Sequence, residues 1–193
     1  MKDKEMERGE EKIVYQGKII EVVQQGFGTG KDERIFEFAR RSPGTRLIIP
    51  TQDRKFLVTK EFRHELNDYD YRLPGGKVFD TLKEYNQFLK LGDDILGKAK
   101  IAAAKEALEE VGIIVKDMVH FSTSKAGATV VWDLFYFVVT EYEKHESGQH
   151  LERGENIEVM EITRDEAREI CLDGRMKEDR SVAAVLRFLD NHH

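Results

Sequence analysis

Cysteine, proline and tryptophan are scarce in this chain: one, three and one among 193 residues. A single cysteine, Cys171, rules out an internal disulfide framework, so core packing has to hold the fold and a reducing cytoplasm is the expected home. Long hydrophobic runs are also missing. Val130 to Trp132 and Leu134 to Val139 fall far short of the roughly 20 residues that cross a bilayer, so no membrane span is expected. The start, Met1 to Lys12, is charged at most positions, lacks the apolar stretch of a signal peptide and reads as disordered. Basic residues are outnumbered: 31 Lys and Arg against 37 Asp and Glu leave a net charge of -6, which argues against double-stranded nucleic acid as a partner.

What is present suits one globular unit, since 40% hydrophobic residues can fill a core while 35% charged residues solvate the surface. Short β-branched and aromatic runs at Ile13 to Tyr15, Ile19 to Val23 and Ile35 to Phe38 predict three strands in an antiparallel meander. Arg46 to Pro50 and Lys55 to Lys60 predict a hairpin, followed by a short strand entering the Leu73-Pro74-Gly75-Gly76 bend. Helical spacing predicts a helix over Leu82 to Leu91, stopped by Gly92, and another over Lys98 to Val111, capped by Gly112. A strand at Ile113 to Val115, a long strand at Val130 to Val139, a strand at Ile157 to Ile162 and helices at Arg164 to Leu172 and Ser181 to Leu189 complete the reading.

Within the second helix, Glu106, Glu109 and Glu110 stand at i, i+3 and i+4, so all three carboxylates should project from one face. Like charges at that spacing repel unless a divalent cation sits between them. The pattern is therefore either a wet surface or a Mg²⁺ site.

The residues around it, Leu73-Pro74-Gly75-Gly76 before the helix and Lys105-Glu106-Ala107-Leu108-Glu109-Glu110-Val111-Gly112-Ile113 closing it, resemble the Nudix box. That family's pattern runs Gly, five residues, Glu, seven residues, then Arg-Glu-apolar-x-Glu-Glu-x-Gly-apolar. The second half matches except that Lys105 replaces the Arg. The pattern holds 13 residues between its first Gly and that Arg, whereas 28 separate Gly76 from Lys105, so about 15 are inserted around Thr81 to Ile95. The first Glu of the box falls on Gly97 and is absent.

The order of elements along the chain is similar to the ADP-ribose pyrophosphatase and nucleotide-sugar branch of the Nudix hydrolases. The resemblance implies an α+β fold, an α/β/α sandwich around a mixed sheet, with the N-terminal antiparallel β-meander (1–41) as a dimerisation element. Residues 42–193 would then form the catalytic domain, with the inserted helix near 81–95. It also implies hydrolysis of the diphosphate bond of a nucleoside diphosphate linked to another group, ADP-ribose or another nucleotide sugar first, giving a nucleoside monophosphate and a sugar phosphate. Mg²⁺, with Mn²⁺ as the alternative, would be held by the Gly75 carbonyl, Glu106, Glu109 and Glu110. Lys105 would support the box carboxylates, Arg63 would contact the diphosphate, and Glu155 would act on the attacking water, with Glu152 and Glu158 as rivals. The expected partners are the small-molecule nucleotide and a second copy in a homodimer.

Three departures leave a rival reading open. The missing first Glu, Lys105 for Arg and the insertion also suit a catalytically weak or inactive Nudix-fold module that binds a nucleotide. Ser124 to Gly127 in place of a Ser-Pro-Gly-type loop, and Arg72 in place of a frequent Glu, leave the sugar end open. His64, His120 and His145 lack metal-ligand spacing, and Cys171, on a helix with apolar neighbours, reads as buried and inert.

Overall fold

The computed structural model describes residues 7–191. Strand β1 (Arg8–Gln16) is exposed along its whole length, β2 (Glu21–Phe27) pairs with it antiparallel, and β3 (Arg34–Arg40) pairs antiparallel with β2. The meander is therefore present. Its first strand takes in residues 8–12, which composition alone marks as disordered: solvated side chains suit an edge strand whose backbone pairs on one side only. The remainder of the charged N-terminus, residues 1–6, lies outside the described residues.

Next come β4 (Gly44–Pro50), β5 (Phe56–Arg63), β6 (Asp68–Arg72), α1 (Leu82–Leu91) and α2 (Ile95–Glu106), which runs into a π turn at Ala107–Val111. Then come β7 (Ile113–Ser124), β8 (Val130–Val131), β9 (Leu134–Lys144), β10 (Ile157–Ile162), α3 (Arg164–Leu172) and α4 (Asp179–Asn191). Two strand readings need correction. The strand expected to stop at Val115 continues to Ser124, because β9 offers a partner along that length even though Lys116 and Asp117 break the apolar pattern. The single strand expected over Val130 to Val139 is broken at Trp132-Asp133, and its two pieces pair with different sheets.

These elements form two units. Among the described residues, the first comprises 7–43, Phe79–Asp93 and Lys125–Asp133. Its sheet runs β1-β2-β3-β8, with β8 parallel to β3. Glu21 and Arg40, both buried, bond to each other at 2.7 Å, and Asn86 of α1 donates to Glu21 at 3.0 Å, which ties the helix to this sheet. Phe79, Tyr85 and Phe88 cluster with ring centroids 5.0 to 5.4 Å from Phe79. Trp132 lies half-buried beneath the Arg41 guanidinium, 4.1 Å from the ring centre.

The second unit comprises Gly44–Val78, Asp94–Ser124 and residues 134–191, around a sheet ordered β10-β5-β4-β9-β7 with β6 paired to β5. Only β4 and β9 run parallel. Strand β4 is buried on both faces, which explains its near-continuous apolar run. Helix α2 and the π turn after it present Ala99, Ala103 and Ala107, all fully buried and four residues apart, so the helix backbone can lie close to β4 and β9. Helix α4 buries Ser181, Ala184, Val185, Phe188 and Leu189, an amphipathic stripe that sets Phe188 edge-on to Phe56 and Phe121 at 5.8 Å. Each large side chain of this core contributes about 1.5–3 kcal/mol by leaving water. No helix among the described residues is long and apolar enough to cross a membrane.

Candidate active site

The three box carboxylates reach their positions through local rules. Asp94 caps α2 by accepting from the Leu96 N–H at 3.0 Å, the alanine stripe fixes which face meets the sheet, and the helix ends at Gly112. Gly112 has φ +72°, and a Cβ there would lie 2.6 Å from the Gly148 carbonyl carbon, so only glycine fits. The last turn is π rather than α, which inserts a residue into the turn and rotates the facing of its side chains.

The carboxylates accordingly do not form the single row expected of an α-helix. Glu110 turns to the Pro-Gly-Gly bend and accepts from the Gly75 N–H at 2.7 Å. Glu106 lies against Gly76 so closely that a Cβ at Gly76 would overlap its carboxylate. Glu109, half-buried, pairs with Lys105, whose Nζ lies 3.1 Å from its Oε2. The bend is pinned beneath them by Thr45 N–H donating to the Gly76 carbonyl at 2.9 Å and Leu47 N–H to the Pro74 carbonyl at 2.8 Å.

Electrostatics single out the two inner carboxylates. Burial pushes Glu106 up to about 7, with repulsion from Glu109 adding to it and a smaller contribution from Glu155. Burial also pushes Glu110 up to about 7, against the Gly75 N–H bond and with repulsion from Glu106. Arg46 opposes both shifts. It is 4% exposed and grips Glu178 through Nε at 2.9 Å and Nη2 at 3.2 Å, while Nη1 donates to the Thr45 carbonyl at 2.8 Å. Burial works against the charge on Glu178, but Arg46 and the Ser181 hydroxyl, 2.6 Å away, outweigh it and hold the carboxyl below its ordinary value.

The remaining candidates are less assembled. Arg63 stands at the end of β5, engaged by Glu61 at 3.0 Å and by Glu65. Arg72 shares Glu61 at 3.4 Å and approaches Asp70 at 3.6 Å. Glu155 lies in the exposed loop before β10 and accepts from the Glu152 N–H at 3.0 Å. Of its rivals, Glu158 on β10 faces Lys60 at 3.4 Å. Cys171 is buried, and burial pushes its thiol up to about 11, which makes it inert.

Arg46 and Glu178 escape a reading of the motifs. A signal existed: Arg46 is the one charged residue in the apolar run Gly44 to Pro50, and a cation there needs a buried partner. The partner is 132 positions away and carries no mark of its own.

Among the described residues no three His, Cys, Asp or Glu side chains are gathered at metal-ligand spacing. The donor chemistry nevertheless fits a hard divalent ion. Glu106 and Glu110 are oxygen donors whose charges are penalised by burial and by neighbouring carboxylates.

No family model matches the chain. Over 149 residues it is 26% identical to a protein of Bacillus methanolicus named methanol dehydrogenase activator, spanning 75% of this chain and 71% of that one. A crystal structure of an ADP compounds hydrolase superposes with a TM-score of 0.68 at 16% identity, covering 97% of this chain and 93% of its own. The mixed α+β architecture, with its carboxylate-bearing helix closing on a Pro-Gly-Gly bend, is the Nudix fold.

Proposed function

We propose that this chain is a pyrophosphohydrolase dependent on Mg²⁺, or on Mn²⁺ in its place, which cleaves the diphosphate bond of a nucleoside diphosphate linked to another group. Nucleotide sugars such as ADP-ribose are the first candidates. The observation that carries this reading is the pair Glu106 and Glu110, held with raised pKa values against the Gly75-Gly76 backbone. A cation held by Glu106, Glu109, Glu110 and the Gly75 carbonyl would neutralise the diphosphate and acidify an attacking water. The protein's own part is positional. The Gly75 N–H aims Glu110, the Gly76 backbone seats Glu106, and Lys105 restrains Glu109. Arg63 would exchange Glu65, an exposed and weakly held partner, for phosphate oxygens. Glu155, leaving the Glu152 N–H, would orient the water or take its proton.

The test is release of nucleoside monophosphate from ADP-ribose, ADP-glucose, GDP-mannose, UDP-glucose, dinucleoside polyphosphates and NADH, with and without Mg²⁺. Turnover of one class only with metal is expected. A second reading, a nucleotide-binding module with little or no catalysis, is favoured by Glu109 and Glu155 both being engaged elsewhere and by the likeness to a protein named as an activator. It predicts no turnover on any member of the panel, with ADP-ribose still raising the melting temperature.

The first unit suits a second copy of the chain. Ile13, Val14, Tyr15, Ile35 and Phe36 are each exposed on the meander, and β1 is an open edge. Sedimentation equilibrium is expected to give a two-chain particle, and the double variant I35E/F36E a single chain; a wild-type monomer at micromolar concentration would refute the homodimer.

A further inference from the structure

A helix leaves its last carbonyls without partners, and the C-terminal end of the carboxylate-bearing segment is closed in an unusual way. Three of its carbonyls are satisfied from one distant stretch. His150 N–H donates to Glu109 at 2.9 Å, the Gln149 side-chain amide to Glu110 at 2.6 Å, and His145 N–H to Gly112 at 2.8 Å. The glycine at 112 lets that stretch approach, its α-carbon facing the Gly148-Gln149 peptide. Gln149 does more than cap. The same Nε2 donates at 3.0 Å to the carbonyl of Ile157, the first residue of β10 and two residues beyond Glu155.

We propose that Gln149 is a positioning residue: its carboxamide clamps the loop carrying Glu155 to the turn carrying Glu109 and Glu110, and so sets where Glu155 stands relative to the metal carboxylates. The inference rests on the hydrolase reading of the same site. Among the residues closest to glutamine in size none replaces it, because two carbonyls must each receive a proton from one nitrogen. Glutamate offers acceptors to acceptors, and asparagine is a methylene short. Gln149 is exposed, so its bonds add little to global stability and the clamp governs placement instead. Misplacement of a catalytic group by about 1 Å costs up to roughly 10² in rate.

Q149L removes both donors without adding charge, and Q149E removes them isosterically. Each is expected to lower kcat about 10- to 50-fold, with KM within about twofold and the melting temperature within about 2 °C of wild type. In an E155Q background, Q149L should cost nothing further, because the group it positions is already gone. Losses that multiply in that background, or a Q149L enzyme with wild-type kcat, would overturn the clamp while leaving the hydrolase reading intact. Should the wild type hydrolyse nothing on the panel, that reading fails by itself, and hydrogen exchange decides the clamp. Exchange of the His150 amide at least about tenfold faster in Q149L supports it, and unchanged protection refutes it.

Discussion

Replacing Glu110 by glutamine, E110Q, is expected to lower metal-dependent hydrolysis by roughly 10³, the scale for losing one stabilising group at a reacting centre. Glutamine keeps the size of the side chain and an oxygen that can accept the Gly75 N–H bond, now 2.7 Å long, so the bend should survive. The charge is what disappears. The same substitution should make the metal-free protein more stable, and the sign comes from the raised pKa. Burial lifts Glu110 from 4.5 to about 7 in the folded chain, so between those values the folded state holds a proton that the unfolded state releases. The penalty for its charge is therefore absent below about pH 4.5 and complete above about pH 7. At about 1.4 kcal/mol per pH unit, E110Q should gain roughly 3 kcal/mol over wild type at pH 8 in EDTA, and nothing at pH 4. Urea denaturation at the two pH values measures this. A variant that turns over normally would remove Glu110 from the proposed metal site, and one less stable than wild type at pH 8 without metal would show that its charge is not penalised by burial.

The second large effect lies beneath the site. R46M should destabilise the protein by about 3–5 kcal/mol, because it leaves the Glu178 carboxylate buried without its cation. The pair is bidentate, its arginine is 4% exposed, and it joins β4 to the start of α4. The attraction itself need not be worth that much, since two desolvated charges offset most of their own gain. The double variant R46M/E178Q should therefore recover most of the loss, because the amide keeps an acceptor for the Ser181 hydroxyl and removes the stranded charge. Denaturant midpoints of wild type, R46M and R46M/E178Q form the comparison. A loss under about 1 kcal/mol in R46M would mean that water reaches Glu178 when arginine is absent. R46M also removes the cation that holds Glu106 and Glu110 down, so any residual activity should have its acidic limb at higher pH.

What the sequence determined by itself was whatever depends on neighbours a few residues apart. Helix α1 is bounded by Thr81, which accepts from the Glu84 N–H, and by Gly92 in the left-handed conformation; both signals are local. Helix α3 opens on a Thr163–Glu166 capping box. The carboxylates were likewise legible, because Lys105 to Ile113 and the Pro-Gly-Gly bend are contiguous patterns.

The tertiary structure decided what depends on partners far along the chain. Strand β7 runs to Ser124 because β9 pairs with it, and the expected strand at Val130 to Val139 divides because its halves meet different sheets. The final turn of the carboxylate helix becomes π, with its carbonyls met by residues 145 to 150, and Glu109 pairs with Lys105 while Glu106 and Glu110 face the bend. Arg46 finds Glu178 across 132 positions. The physical reason is common to these cases: propensity and capping act within a turn or two of chain, whereas satisfying a buried charge or a carbonyl at a helix end requires whichever group the fold brings there.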